Sequence, residues 1–196
     1  MEEDNKTISW EKIEGKIRGV VLITDSHFVM KEKGKETLLA VEGEMVKLGF
    51  PIKYEEIKTM EFYPLSVRIA SLLAIKKVCG FSEEKIREMG ANAPKISLII
   101  KLFLKYFSTL TMAAEKVSLL WSRHYTVGEL RAKEVDEEKK VVILELGNFT
   151  GHPLFCQYLN GYFSMVVQLI IGKAVTSQET KCPFSGDSYH EFTVTW

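Results

Sequence analysis

The segment that most constrains the fold is an apolar run from Pro153 to Ile171, which is followed by Gly172. A helix over this run would be about 28 Å long, at a rise of 1.5 Å per residue. The next segment, Lys173 to Thr180, is rich in polar and β-branched residues and indicates a strand of about 26 Å. If Gly172 reverses the chain, the strand returns along the helix, and its far end lies beside the helix start.

Four side chains that can bind metals fall at these element ends. Cys156 lies at the start of the predicted helix, and Glu179 and Cys182 lie at the far end of the predicted strand. A final strand places His190 on its apolar, helix-facing side, because alternate residues of a strand share a face. Thiolate, carboxylate and imidazole groups are ordinary zinc ligands, and a closed tetrahedral site needs four of them. We therefore predict that these four residues bind one structural zinc ion.

The residues leave other interpretations of these four side chains open. The cysteines can be small buried hydrophobic residues, and His190 can be a core histidine with one backbone partner. The four groups can also form a hydrogen-bonded cluster without a metal. Asp187 and His152 are spare donors, since His152 precedes Cys156 by one helical turn.

A set of residues in the last part of the chain carries a family resemblance. It comprises Phe149, Cys156, Gly161, Gly172, Glu179, Cys182, Gly186, Asp187 and the terminal aromatic strand. With these residues, roughly the range 110 to 196 resembles the 4-vinyl reductase domain family. The usual ending of that family is E-x-x-C, a Gly-Asp turn and a second Cys before E-F. Here His190, itself a competent ligand, stands in place of the second Cys.

The resemblance implies membership of a superfamily that also contains subunits of the TRAPP vesicle-tethering complex and the haem–nitric-oxide/oxygen binding domains. It implies dimerisation and, in some members, a zinc ion held by this set of residues. In the sensor members it implies recognition of aromatic small molecules. The family name refers to a proposed role in reducing a vinyl group during bacteriochlorophyll synthesis.

Composition and charge exclude several classes of protein. The chain has 26 Lys and Arg against 26 Asp and Glu, which gives no basis for nucleic-acid binding by clustered basic residues. Its 3 cysteines are far apart in the sequence and do not indicate a secreted disulfide framework. The N-terminus is polar and acidic, unlike a signal peptide. We expect a cytoplasmic protein with a single domain over residues 1–196.

Three parts are expected along this domain: a polar lead-in over 1–15, a mainly helical part over 16–109 and the 4-vinyl reductase-like part over 110–196. Residues 17–29 are compatible with either a strand or a helix, and Pro94 is expected to begin a helix. Lys101 and Lys105 interrupt the apolar stretch that follows Pro94, so its uninterrupted runs fall short of the ~20 residues of a transmembrane segment.

The order of elements predicts the fold class. A helical first half is followed by a strand, a strand, the long helix, a strand and a strand. This order indicates an α+β fold, in which the helical half packs on a C-terminal antiparallel sheet of about four strands with one long helix.

Aromatic residues recur on the predicted helices of the middle and last parts of the chain. They can fill a core, or they can line a cavity for an apolar or aromatic small molecule, with a few polar groups that orient it. We predict such a cavity, with Tyr106 or Tyr162 as its polar contact. Its expected lining is Phe103, Tyr106, Phe107, Trp121, Tyr162 and Phe163.

No catalytic machinery is recognisable in the sequence. Gly15 and Gly19 do not form a G-x-G-x-x-G dinucleotide fingerprint, and no G-x-S-x-G nucleophile turn is present. Haem is commonly held by a proximal histidine, for which His124 is a candidate. The Tyr-x-Ser-x-Arg propionate clamp of the haem-binding relatives is absent, however. We therefore expect neither enzyme activity nor haem.

The leading hypothesis is a non-catalytic small-molecule-binding or sensory domain that takes a hydrophobic or aromatic ligand. It would form a homodimer through helices of the first half and signal through a downstream protein partner. The first alternative is a TRAPP-like dimeric interaction module without a ligand. A weaker alternative is an enzyme that acts on a vinyl tetrapyrrole.

Overall fold

The computed structural model describes residues 10–107 and 109–196. Most of the expected polar lead-in, residues 1–9, lies outside the described residues. The mainly helical part contains β1 (Lys16–Arg18), α1 (Gly19–Lys33), α2 (Lys35–Lys47), β2 (Phe62–Pro64), α3 (Leu65–Cys79), α4 (Glu83–Ile96) and α5 (Leu98–Tyr106). The last part contains α6 (Leu110–Glu115), α7 (Val117–Ser122), β3 (Glu129–Asp136), β4 (Val141–Gly147), α8 (Leu154–Ile171), β5 (Thr176–Lys181) and β6 (His190–Thr195).

The strands form two antiparallel sheets. β1 pairs with β2, and the other four strands form a sheet in the order β3-β4-β6-β5. Leu144, Phe192 and Val194 belong to its buried face, as the two-residue period of a strand requires. α8 packs against β5 and β6, so the long helix and the sheet share one hydrophobic core.

A close crossing of α4 and α8 joins the helical part to the last part of the chain. A side-chain carbon added at Gly90 would lie 1.9 Å from the carbonyl oxygen of Tyr158, and one added at Gly161 would lie 1.9 Å from that of Arg87. Neither distance is compatible with any side chain. The two glycines therefore let the helix backbones touch, and this contact places the aromatic residues of α8 among the helices of the first half.

The α+β class and the strand-strand-helix-strand-strand order are confirmed by β3, β4, α8, β5 and β6. Of the undecided range 17–29, residues 17–18 end the short strand β1 and residues 19–29 lie in α1. The prediction that Pro94 begins a helix is wrong, because Pro94 lies inside α4. The new helix begins at Leu98, because Ser97 takes an extended conformation and its hydroxyl caps the backbone N–H of Ile100.

Among the described residues, α8 alone has the length and apolar composition of a membrane span. In the protein, 56% of this helix is buried. Phe155 and Leu159 of α8 belong to the central core, so the apolar character of α8 is explained by its packing inside the protein.

Candidate metal centre and ligand cavity

The four predicted metal ligands converge at the N-terminal end of α8. The ligand atoms of Cys156, Glu179, Cys182 and His190 all lie within 4.8 Å of one another. We call these four residues the cysteine cluster. The two Sγ atoms are 3.5 Å apart, and both cysteines are free thiols. A tetrahedral zinc ion with Zn–S bonds of about 2.3 Å separates two thiolates by about 3.8 Å, so the spacing is close to that of a zinc site.

The hydrogen bonds of His190 leave one of its ring nitrogens facing the cluster. Nε2 lies 3.1 Å from the carbonyl oxygen of Phe149 and therefore carries a proton. Nδ1 lies 2.7 Å from Oε1 of Glu179 and 4.0 Å from Sγ of Cys156. A neutral imidazole with its proton on Nε2 and an ionised carboxylate are both acceptors at this contact. A proton or a metal ion must therefore lie between them.

Without a metal ion, the surroundings of Cys156 favour its neutral thiol. Burial raises the pKa of the Cys156 thiol well above its usual value, and the neighbouring Glu179 and Cys182 raise this pKa further. The contacts recorded for the cysteine cluster within the described residues include no Lys or Arg side chain. A divalent metal is the kind of charge that would convert such thiols to thiolates.

The spare donors considered from the sequence have other roles. Asp187 accepts a hydrogen bond from the backbone N–H of Cys182 at 2.8 Å, which shapes the loop between β5 and β6. His152 accepts one from the backbone N–H of Leu154 at 3.1 Å and so caps the start of α8. Both residues support the cysteine cluster without belonging to it.

A second site is an apolar cavity beside α8, enclosed by residues from α1, the segment from α4 to α7, β3 and β4. The empty space between these elements is ≈ 920 Å³, a volume that includes solvent at the open side of the cavity. The lining includes no Lys, Arg, Asp or Glu. Its walls stand close together, so a large ligand must separate them or displace side chains.

The structure places four of the six predicted cavity residues in the lining: Phe103, Trp121, Tyr162 and Phe163. Tyr106 is wrong as a polar contact, because it lies on the opposite face of α5 and is 67% exposed. Phe107 stacks on Phe103, with ring centroids 4.8 Å apart, but does not reach the lining. Tyr162 fits the predicted polar role, and burial raises the pKa of its hydroxyl.

His124, the candidate haem ligand, follows α7 and lines the cavity. It is buried, and its Nδ1 lies 3.0 Å from the carbonyl oxygen of Leu120, which fixes the proton on Nδ1. Burial lowers the pKa of His124, and Arg18 lowers it further. The side chain is therefore a neutral imidazole, and its Nε2 lone pair is free of this hydrogen bond.

A buried ion pair lies behind the cavity wall. Arg68 and Asp25 are both fully buried and in direct contact. The Arg68 guanidinium lies 4.5 Å from the ring centroid of Tyr158, which lines the cavity. The sequence contains a signal for this pair that we did not use: each residue is a charge inside an apolar helical segment, and buried charges are normally paired.

Comparisons with known proteins identify the fold. No family model and no curated protein match the sequence. An H-NOX protein from S. oneidensis, solved in the Fe(II)NO ligation state, is 10% identical, with a TM-score of 0.68 over 91% of this chain and 98% of that one. A structure from a study of haem redox potential and porphyrin distortion is 15% identical, with a TM-score of 0.62 over 92% and 100%. One from a study of haem distortion in the H-NOX family is 16% identical, with a TM-score of 0.61 over 92% and 95%.

The chain therefore has the fold of the H-NOX, or haem–nitric-oxide/oxygen binding, domains. This fold agrees with the resemblance that the sequence indicated, whereas membership of the 4-vinyl reductase family is not confirmed. The expectation that haem is excluded is wrong, because solved proteins with this fold are haem proteins. That expectation rested on the missing Tyr-x-Ser-x-Arg motif, and the fold does not depend on those side chains.

Proposed function

We propose that this chain is a non-catalytic sensor domain that binds an apolar, planar molecule in the cavity through His124, and that haem is the leading candidate. The observation that supports this most is the state of His124: buried, neutral, in the cavity wall and held through Nδ1. A histidine that binds a metal typically donates its other ring N–H to a backbone carbonyl or a carboxylate.

The residues fit haem in two respects and leave a third without a partner. His124 would hold the iron through Nε2, and the apolar, aromatic lining would exclude water from the macrocycle. Bound haem would supply an iron centre for a diatomic gas. The lining contains no cation for the propionates, so these carboxylates would have to reach solvent at the open side of the cavity.

Titration with haemin tests this proposal. We expect a one-to-one Soret absorption change, which His124→Gly weakens and added imidazole restores. His27→Gly is the matched control, because His27 is exposed on α1. A titration without a saturable Soret change, or one that His124→Gly leaves unchanged, would refute haem binding through His124.

A specific observation supports a second, structural site at the cysteine cluster. We propose that Cys156, Glu179, Cys182 and His190 hold one metal ion, and that the donor set favours zinc. The convergence of the four ligand atoms within 4.8 Å supports it, together with the 2.7 Å contact between Nδ1 of His190 and Oε1 of Glu179, which a shared proton or a metal ion can bridge. Elemental analysis of protein purified without added metal should give one zinc per chain, and Cys182→Ala should lose it. A parent protein without metal would contradict the proposal.

The remaining proposals concern assembly and location. We propose a homodimer through first-half helices, a downstream protein partner and a cytoplasmic location, all of which are compatible with a sensor domain. Light scattering that gives a 22.4 kDa particle would count against the dimer. The TRAPP-like interaction module would become the better description if neither haemin nor an apolar ligand from organic extracts occupied the cavity.

A further inference from the structure

The outer face of α5 is apolar and basic. Leu98, Lys101, Leu102, Lys105 and Tyr106 follow helical spacing on this one face, while the opposite face is buried. We call these five residues the Leu-Lys stripe. Leu98 and Tyr106 are each 67% exposed and Leu102 is 48% exposed, so three large apolar side chains face solvent beside two lysines. Exposed apolar surface of this extent on one short helix indicates a binding surface.

The apolar surface continues onto neighbouring elements. Ile96 before the stripe, Met112 of α6 and Leu169 of α8 are also exposed, by 39%, 42% and 43%. The C-terminal end of α8 lies next to α5, because Ile170 packs against the same small cluster as Phe103. Several elements on one side of the protein therefore contribute exposed apolar side chains.

The charge along the segment that contains the stripe is of one sign. From Met89 to Ala114 the sequence contains Lys95, Lys101 and Lys105 but no Asp or Glu, although the whole chain has equal numbers of acidic and basic residues. A second copy of the chain is a poor occupant, because two stripes packed face to face would bring lysines against lysines. The stripe requires an anionic partner.

The residue types of the stripe favour a lipid surface among anionic partners. Lysine stems can lie along acyl chains while their ammonium groups reach the headgroups, and tyrosine favours the membrane interface.

We propose that the Leu-Lys stripe docks this domain on an anionic membrane surface. Leu98, Leu102 and Tyr106 enter the boundary between headgroups and acyl chains, and Lys101 and Lys105 pair with anionic headgroups. The proposal does not require a ligand in the cavity or a metal on the cysteine cluster, so it can fail or succeed independently of the proposed function.

Vesicle flotation tests the proposal with two pairs of matched variants. The full chain should float with vesicles that contain phosphatidylserine and should bind pure phosphatidylcholine vesicles roughly tenfold less tightly or worse. Lys101→Glu with Lys105→Glu should reduce binding to the anionic vesicles by a similar factor. Lys31→Glu with Lys35→Glu, which makes the same change in net charge at exposed positions of α1 and α2, should not.

A second pair of double variants tests the contribution of the apolar side chains to membrane binding. Leu98→Ser with Leu102→Ser should abolish flotation, whereas Leu39→Ser with Val46→Ser, at exposed positions of α2, should leave it intact. Thermal melting of each variant shows that it is folded. Equal binding to neutral and anionic vesicles, equal losses in the control variants, or no flotation of the parent would each overturn the proposal. No flotation would leave an acidic protein as the partner. A dimer in light scattering that Leu98→Ser with Leu102→Ser dissociates would also overturn it, since a second copy would then cover the stripe.

Discussion

The cysteine cluster and the cavity are both built on α8, but polar groups have opposite roles in them. At the N-terminal end of α8, four donor groups meet, and within the described part of the chain no Lys or Arg side chain is hydrogen-bonded to them. Farther along α8, apolar side chains enclose a space in which His124 and Tyr162 are among the few polar groups. The first site is specified by its ligands, whereas the second is specified by its shape.

Because of this difference, we expect occupancy of the two sites to affect different properties of the protein, stability in one case and conformation in the other. A metal on the cysteine cluster would tie α8 to β5 and β6, so its main effect is on stability. A ligand in the cavity would separate the helices from the sheet, so its main effect is on conformation. The two sites can therefore be distinguished by whether a perturbation changes the free energy of unfolding or the affinity for a ligand.

Metal removal is expected to have an effect on stability as large as that of a core substitution. At a free metal concentration a thousandfold above its Kd, binding to the folded state contributes about 4 kcal/mol. Chelation should therefore lower the melting temperature by roughly 8–16 °C. Calorimetry with and without a chelator measures the shift, and Cys182→Ala should melt like the chelated parent. An identical melting temperature with and without the chelator would mean that hydrogen bonds alone hold the cysteine cluster together.

The buried ion pair between Arg68 and Asp25 tests whether polar groups beside the cavity contribute as much to the free energy of unfolding as a metal on the cysteine cluster would. Arg68→Met leaves Asp25 buried without its partner and should cost about 3–5 kcal/mol. Asp25→Leu combined with Arg68→Met removes both charges and should cost less than Arg68→Met alone. Urea unfolding of the single and double variants measures this. A double variant that costs the sum of the single changes would show that the two charges do not act as a pair.

A pair of phenylalanine truncations tests whether the cavity is a real space. Phe28 is buried away from the lining and packs edge-on against Phe81, so Phe28→Ala should cost about 3–5 kcal/mol. Phe163 borders the existing space, so Phe163→Ala should cost less and should weaken ligand binding instead. Equal costs for the two variants, measured in urea, would mean that the cavity behaves as a filled core.

The cysteine cluster was predictable because its geometry follows from local rules. The length of α8, the return of β5 and the alternation of residues on β6 place Cys156, Glu179 and His190 together without knowledge of distant contacts. The strand order and the α+β class follow from the same patterns. These features need only element lengths and periods, which the sequence contains.

The polar groups around the cavity were not predictable in this way. Phe103 and Tyr106 lie on one apolar helix, and the face that turns inward depends on how α5 packs against α8. His124 follows α7, and its burial depends on elements distant in the chain, including α1 and β4. Side chains on an element that is apolar all round cannot be assigned to a face from periodicity alone.

The pH dependence of stability should give the smallest effect, and it concerns His124. Burial lowers the pKa of His124 below its usual value of 6.5 in the folded protein, so the unfolded chain takes up this proton at a higher pH than the folded protein does. The stability that the neutral imidazole contributes is fully present above about pH 6.5 and is lost as the pH falls to the folded-state pKa.

Within that pH window, His124→Gln should reduce the slope of the unfolding free energy against pH by up to about 1.4 kcal/mol per pH unit. His27→Gln, at an exposed position of α1, is the matched control variant. Urea unfolding at a series of pH values measures both slopes, and the difference from the parent isolates His124 from the other titrating groups. If the slope of His124→Gln matched that of the parent, His124 would bind its proton equally well in the folded and unfolded states. The proposal that a neutral His124 holds haem would then lose its support.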